Sequence, residues 1–254
     1  SVIGLTATAS FDVLADVERE LTLGGNLSID SETIVRPEND TRPELSYRIY
    51  KVNPSFDELK DPLELYKLRC ESDWDLKDVV AETKKRALID LFATIPSDIE
   101  AVNDADAPCY IEHFNTEEFY SPDSEGKYLN AGILFCPHAR GTFGVLTNVW
   151  NTRPGISNHL IENVKQLNVG TFVGGDRPSG DMKRFNENEQ NLMVATKAFG
   201  MGIDKPNVRY TINFNHPSSI ESFVQEAGRG GRDRRHAISY ILFDNSQYIH
   251  LTAD

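Results

Sequence analysis

The sequence predicts an α/β fold: a parallel β-sheet covered by helices on both faces. Two observations carry that expectation. From residue 130 onward, apolar runs of about five residues alternate with helix-like segments. Short apolar runs between helices are the pattern of strands buried on both faces. In addition, 254 residues at 39% hydrophobic and 26% charged are ample for a sizeable core.

The elements follow in order. Val2 to Leu5 reads as a short buried strand, and Ser10 as the cap of a helix from Phe11 to about Leu21, with Phe11, Leu14, Val17 and Leu21 on one face. Pro37 and Pro43, with Asn39-Asp40 between them, mark a linker. Leu45 to Val52 alternates as a strand does. Residues 53–80 are acidic and irregular, Glu82 to about Ile95 is helical, and 96–128 form a polar, proline-interrupted excursion. After that come strands at Ala131–Phe135, Val169–Val173, Leu192–Thr196, Tyr210–Phe214 and Ile238–Phe243. They alternate with helices at Ile156–Leu167, Met182–Asn186 and Ile220–Ala227. Ligands of parallel sheets sit at the carboxyl ends of strands, so the turn after each strand is where chemistry is expected.

Composition excludes several classes. No apolar run approaches the roughly 18–20 residues of a membrane span, so no membrane partner is expected. The net charge of −13 argues against coating nucleic acid by bulk charge. Residues 1–130 hold 13 Lys+Arg against 28 Asp+Glu, whereas 131–254 hold 13 against 11. The second half is therefore free to present a local anion site. Cys70, Cys109 and Cys136 are widely spaced, which excludes a clustered zinc site and fits free thiols in a reducing cytoplasm. No metal site is expected. The opening apolar run without an initiator Met reads as a fragment of a longer protein.

Two segments carry chemistry. Ala195 to Lys205 follows a strand; Gly200 and Gly202 allow close backbone approach, Thr196 offers a hydroxyl, Asp204 an acceptor, and Lys197 and Lys205 positive charge. A plain glycine turn is the other reading. The second segment, Gln225 to Arg235, places Arg229, Arg232, Arg234 and Arg235 within seven residues at the end of a helix. Guanidinium forks match phosphate oxygens; a solvated basic loop is the alternative. The phosphate cradle G-x-x-x-x-G-K-S/T is absent, as its near match at Gly175–Gly180 runs into Asp181-Met182.

These residues resemble the RecQ family of superfamily 2 DNA helicases. Val194 to Arg209 resembles the family's motif V, Gln225 to Asp233 its motif VI, Leu5-Thr6-Ala7-Thr8-Ala9 its motif III and Ile133–Cys136 its motif IV. Arg42-Pro43-Glu44-Leu45 resembles the R-P-N-L that opens the second motor domain. The resemblance implies a RecA-like fold and an ATP-dependent helicase that couples hydrolysis to translocation along DNA. Residues 1–30 would be the tail of the first RecA-like domain, 31–44 a linker, and 45–254 the second RecA-like domain, with acidic insertions at about 53–80 and 96–128. Arg232 would be the arginine finger, Arg229 a second γ-phosphate contact and Gln225 an organiser of the site. Gly202 and Asp204 would lie near ATP. Thr6 and Thr8 would couple hydrolysis to movement, and Cys136, His138, Thr196 and Lys197 would lie by the DNA backbone. ATP and Mg²⁺ would be used by the full-length protein, and the first RecA-like domain would be the partner in cis. Phe172-Val173-Gly174-Gly175 departs from the family's Y-H-A-G, and Lys197 replaces an uncharged residue. From another class, the chain is alternatively a non-catalytic interaction module whose acidic insertions bind a protein.

Overall fold

The computed structural model describes residue 19 and residues 42–52, 73–147, 154–175, 180–200 and 204–244. Six strands form one sheet: β1 (Leu45–Val52), β2 (Ala131–Phe135), β5 (Val169–Phe172), β6 (Leu192–Ala195), β7 (Val208–Asn213) and β8 (Ala237–Asp244). Their order is β1-β8-β7-β2-β6-β5, and every pairing is parallel. A separate two-stranded pair joins β3 (His138–Arg140) to β4 (Gly144–Leu146), which the sequence pattern did not predict. The helices are α1 (Asp73–Val102), α2 (Ile156–Asn163), α3 (Asp181–Asn186) and α4 (Ile220–Ala227), with a 3₁₀ turn at Lys197–Gly200. The predicted strand at 2–5 and helix at 11–21 lie outside the described residues, apart from a helical Arg19.

The two faces of the sheet are covered differently. On one, Leu134, Leu192, Val194, Tyr210, Ile212, Ile238, Tyr240 and Leu242 pack against Leu88, Leu91, Phe92, Ile95 and Ile99 of α1 and against Ile156 and Leu160 of α2. On the other, Ala131, Ile133, Phe135, Met193, Ala195 and Val208 pack against Phe185 of α3 and Phe199 of the 3₁₀ turn. Beneath α4 the second face turns polar, and Thr211 Oγ1 donates to Ser239 Oγ at 2.8 Å. Gly132 makes room for the Tyr210 ring, which a Cβ there would meet at 1.9 Å.

Helix α1 runs past its predicted end near Ile95. Pro96 lies inside it, and a proline lacks the N–H that would bond the carbonyl four residues back. That carbonyl belongs to Phe92, and it accepts instead from the Tyr120 hydroxyl at 2.8 Å. Of the stretch 96–128, read from sequence as a polar excursion, residues 96–102 belong to α1 and the remainder sends Phe119 and Tyr120 into the core. Phe92, Ile95 and Ile99 are fully buried on both sides of the proline, so sheet packing carries the helix through it. The amino-terminal half of α1 is joined to the sheet by a buried ion pair. Lys84 Nζ lies 2.7 Å from Asp244 of β8, and it also donates to Phe214 O at 3.1 Å and to Asn215 Oδ1 at 3.0 Å.

Tyr120→Phe leaves the Phe92 carbonyl buried and unpaired, and is expected to cost about 1–3 kcal/mol. On a Pro96→Ala background, where the helix supplies its own N–H, that cost should shrink. Urea unfolding of the two single variants and the double variant measures it.

Candidate functional site

Helix α4 starts cleanly: Ser219 is extended, and its hydroxyl accepts from the Ser222 N–H at 3.1 Å. It ends at Ala227, and the chain continues as a loop to β8. That loop is sewn to the amino end of β7, where Gly231 N donates to Val208 O at 2.9 Å and Asp233 N to Pro206 O at 3.4 Å. Gly231 adopts φ +61°, and a Cβ there would sit 2.7 Å from Arg235 O; only glycine meets both conditions without strain. The arginine loop therefore lies at the amino-terminal edge of β7 and β8. This departs from the expectation that chemistry sits in the turns after strands. The crossover helix α4 carries motif VI across the sheet before the chain turns back into β8.

The structure sorts the four arginines. Arg235 Nη1 donates to Tyr110 O, and Arg234 lies 3.5 Å from the buried Glu44 carboxylate. These two serve the fold. Arg232 Nη1 pairs with Asp204 Oδ1 at 3.0 Å. The Asp204 side chain is 86% exposed, so this bond is worth about 0–1 kcal/mol and is readily exchanged. Arg229 is half-buried, and its Nε has no hydrogen-bond partner among the described residues. Burial, and then the charge of Arg232, push its pKa down against the pull of Glu226. Two neighbouring guanidinium groups, one with an orphaned buried N–H, form a cationic site that an anion would satisfy.

Two residues without a predicted role complete this region. Glu226 is buried on α4 and accepts from Asn213 Nδ2 at the end of β7. Burial raises its pKa, while the Asn213 hydrogen bond and the charges of Lys197 and Arg229 oppose the shift. Only its place inside motif VI marks Glu226 in the sequence. The buried, inward-facing Asn213 leaves no sequence signal. Gln225, beside Glu226, is exposed on α4.

The remaining candidates do not join the Arg229–Arg232 pair. Thr196, at the end of β6, accepts from Gly174 N at 3.5 Å, and the exposed Lys197 donates to Ser218 Oγ. His138 is exposed at the start of β3. Cys136 is buried in the main core, and burial pushes its thiol pKa up. Its side chain offers no surface contact, so the motif IV turn can reach a ligand only through its backbone or His138. Lys205, read as a source of positive charge for a ligand, turns inward instead. It is 3% exposed, donates to Asn188 Oδ1 and lies 4.7 Å from the centroid of the Phe185 ring. Thr6, Thr8 and Gly202 lie outside the described residues.

Residues 171–234, from β5 to the arginine loop, match the helicase conserved C-terminal domain. The probable ATP-dependent DNA helicase RecS of Bacillus subtilis is 43% identical over 117 residues, which are 44% of this chain and 21% of that protein. The ATP-dependent DNA helicase Q-like 5 of Arabidopsis thaliana is 40% identical over 100 residues, 38% of this chain and 11% of that protein. Over these residues the chain is similar to RecQ-type DNA helicases. It spans about a fifth or less of these curated relatives. Saccharomyces cerevisiae Dbp5 bound to RNA and ADP BeF3 has the same fold, with a TM-score of 0.50 at 14% identity over 97% of this chain and 46% of that one. The fold of the helicase domain is RecA-like. No helix among the described residues is long and apolar enough to cross a membrane.

Burial of Lys205 within this helicase domain makes a measurable pH dependence. Its pKa is pushed down to about 8, against about 10.4 for an unfolded lysine. Between those values the unfolded state binds more protons, so stability rises with pH. Lys205→Met should flatten that rise, as read from urea midpoints across the same window.

Proposed function

We propose that this chain is the second motor domain of an ATP-dependent DNA helicase, acting with a first RecA-like domain of the same protein. The observation that carries the reading is the pairing of Arg229 and Arg232 on the loop after α4. The Arg229 Nε without a partner among the described residues, beside an Arg232 paired with an exposed carboxylate, suits a γ-phosphate site before its anion arrives. Arg232 exchanges Asp204 for the γ-phosphate and neutralises charge that develops in the transition state. Arg229 donates to the same phosphate, Gln225 and Glu226 hold the approach to the loop, and Gly202 and Asp204 line the nucleotide side. A finger supplied from a second domain is worth about 10³–10⁵ in rate. Because it arrives from across a cleft, closure and hydrolysis become one event.

Lys197, Thr196 and His138, on the turns after β6 and β2, meet the DNA phosphates without reading sequence. Thr6 and Thr8 link that contact to turnover. The exposed acidic side chains of the second predicted insertion, Asp104, Asp106, Glu112, Glu117 and Glu118, are where a protein partner would dock. Among the described residues no group of three or more His, Cys, Asp or Glu side chains could hold a metal ion.

In the full-length protein, Arg232→Ala should abolish DNA-stimulated ATP hydrolysis while leaving ATP binding within a few-fold of wild type; wild-type turnover would sink the finger assignment. The isolated 254-residue chain should hydrolyse no ATP above background, and DNA-stimulated turnover by the pure chain would refute its dependence on the first domain.

A further inference from the structure

The two arginines sit on a loop of glycines, which has little intrinsic stiffness. Something else must hold it, and one side chain does so from outside motif VI. Arg42, immediately before β1, reaches 186 to 189 residues along the chain to this loop. Its Nη1 donates to Gly228 O at 2.7 Å, and its Nη2 to Gly230 O at 2.7 Å and Gly231 O at 3.1 Å. These carbonyls flank both arginines: Gly228 and Gly230 on either side of Arg229, and Gly231 directly before Arg232. A fourth donor, Nε–H, goes to Glu44 Oε1 at 2.8 Å.

Glu44 completes the clamp. Its side chain is 1% exposed, and its backbone carbonyl accepts from Ala237 N at 2.8 Å where the loop enters β8. Burial would raise its pKa, but the Arg42 hydrogen bond and the charges of Arg42 and Arg234 outweigh burial and keep the carboxyl below its usual range. The glycines make the close approach possible, since a Cβ on Gly231 would come within 3.1 Å of Glu44 Cγ.

We propose that Arg42 is a positioning residue: its guanidinium fork sets the backbone of residues 228–231 and thereby aims Arg229 and Arg232. This rests on the reading that those arginines face ATP. A planar fork with fixed donors can bond three carbonyls and a carboxylate at once, whereas a lysine ammonium is a point charge that cannot span them. Misplacement by 1 Å at a reacting group can cost about 10²-fold in rate.

The test uses the full-length protein carrying Arg42→Lys, with Arg42→Gln as the second variant should the first not fold. The expected result is a kcat for DNA-stimulated ATP hydrolysis lowered about tenfold or more, with KM for ATP little changed. Amide hydrogen exchange should speed up in residues 228–235 and stay as in wild type in β2 and β6. A wild-type kcat with unchanged exchange in the loop would overturn the proposal, and so would equal loosening of the whole sheet, which marks a purely structural residue. Arg232→Ala, measured alongside, separates the two ideas. If Arg232→Ala keeps full turnover, the ATP-facing reading fails and loop exchange alone decides the clamp. If it abolishes turnover while Arg42→Lys does not lower it, the positioning role fails and the ATP-facing reading stands.

Discussion

Six strands running the same way impose the constraint from which the rest of the domain follows. A parallel sheet cannot leave a face to water, and each step to the next strand needs a crossover over one face. One face is covered by α1 and α2 through continuous apolar packing. The other is divided. Its β2–β6 part packs on Phe185 and Phe199, while its β7–β8 part presents Arg209, Thr211, Asn213 and Ser239 to α4, all buried. Buried polar groups must be bonded. Arg209 donates to His236 O at 3.0 Å and pairs with Asp233, and Asn213 Nδ2 donates to Glu226, while Asn213 Oδ1 has no partner among the described residues. The loop after α4 is therefore held by directional bonds, which fix where its guanidinium groups stand more sharply than apolar contact would.

The same division explains how one loop can serve both fold and chemistry. Arg234 and Arg235 are tied into contacts with Glu44 and Tyr110 and stiffen the loop from behind. Arg232 pairs with an exposed carboxylate, and Arg229 carries a buried N–H without a hydrogen-bond partner among the described residues. A loop that satisfied all four arginines internally would be more stable and would have nothing to offer an anion.

Much of the architecture was legible in the sequence, and the misses share a cause. The bounds of α4 could be read because its signals are local: Ser219 caps one end and Gly228 follows the other. The strands could be read because burial on both faces leaves apolar runs. Helix α1 begins at Asp73, inside the stretch 53–80; its acidic first turns lack an apolar period, so they were read as irregular. Its carboxyl end was read too short because Pro96 is a local stop signal. The hydroxyl that satisfies Phe92 comes from Tyr120, 28 residues beyond that carbonyl, and no window-based reading of periodicity finds such a partner. The β3–β4 pair was missed because its strands are only three residues each.

For the site, the sequence by itself determined which residue types were available: the glycine-spaced arginines of motif VI, the run from Thr196 to Lys205, and their family resemblance. It could not decide which way each charge faces. Lys205 and Lys197 look equivalent on paper, yet one is buried over Phe185 and the other exposed by Ser218. Cys136 belongs to a recognisable motif and is packed in the core. Arg42 looks like part of a linker and holds the arginine loop. Spacing along the chain records local geometry alone, whereas the direction of a side chain and the identity of its partner are set by crossovers that bring residues nearly 190 positions apart into contact.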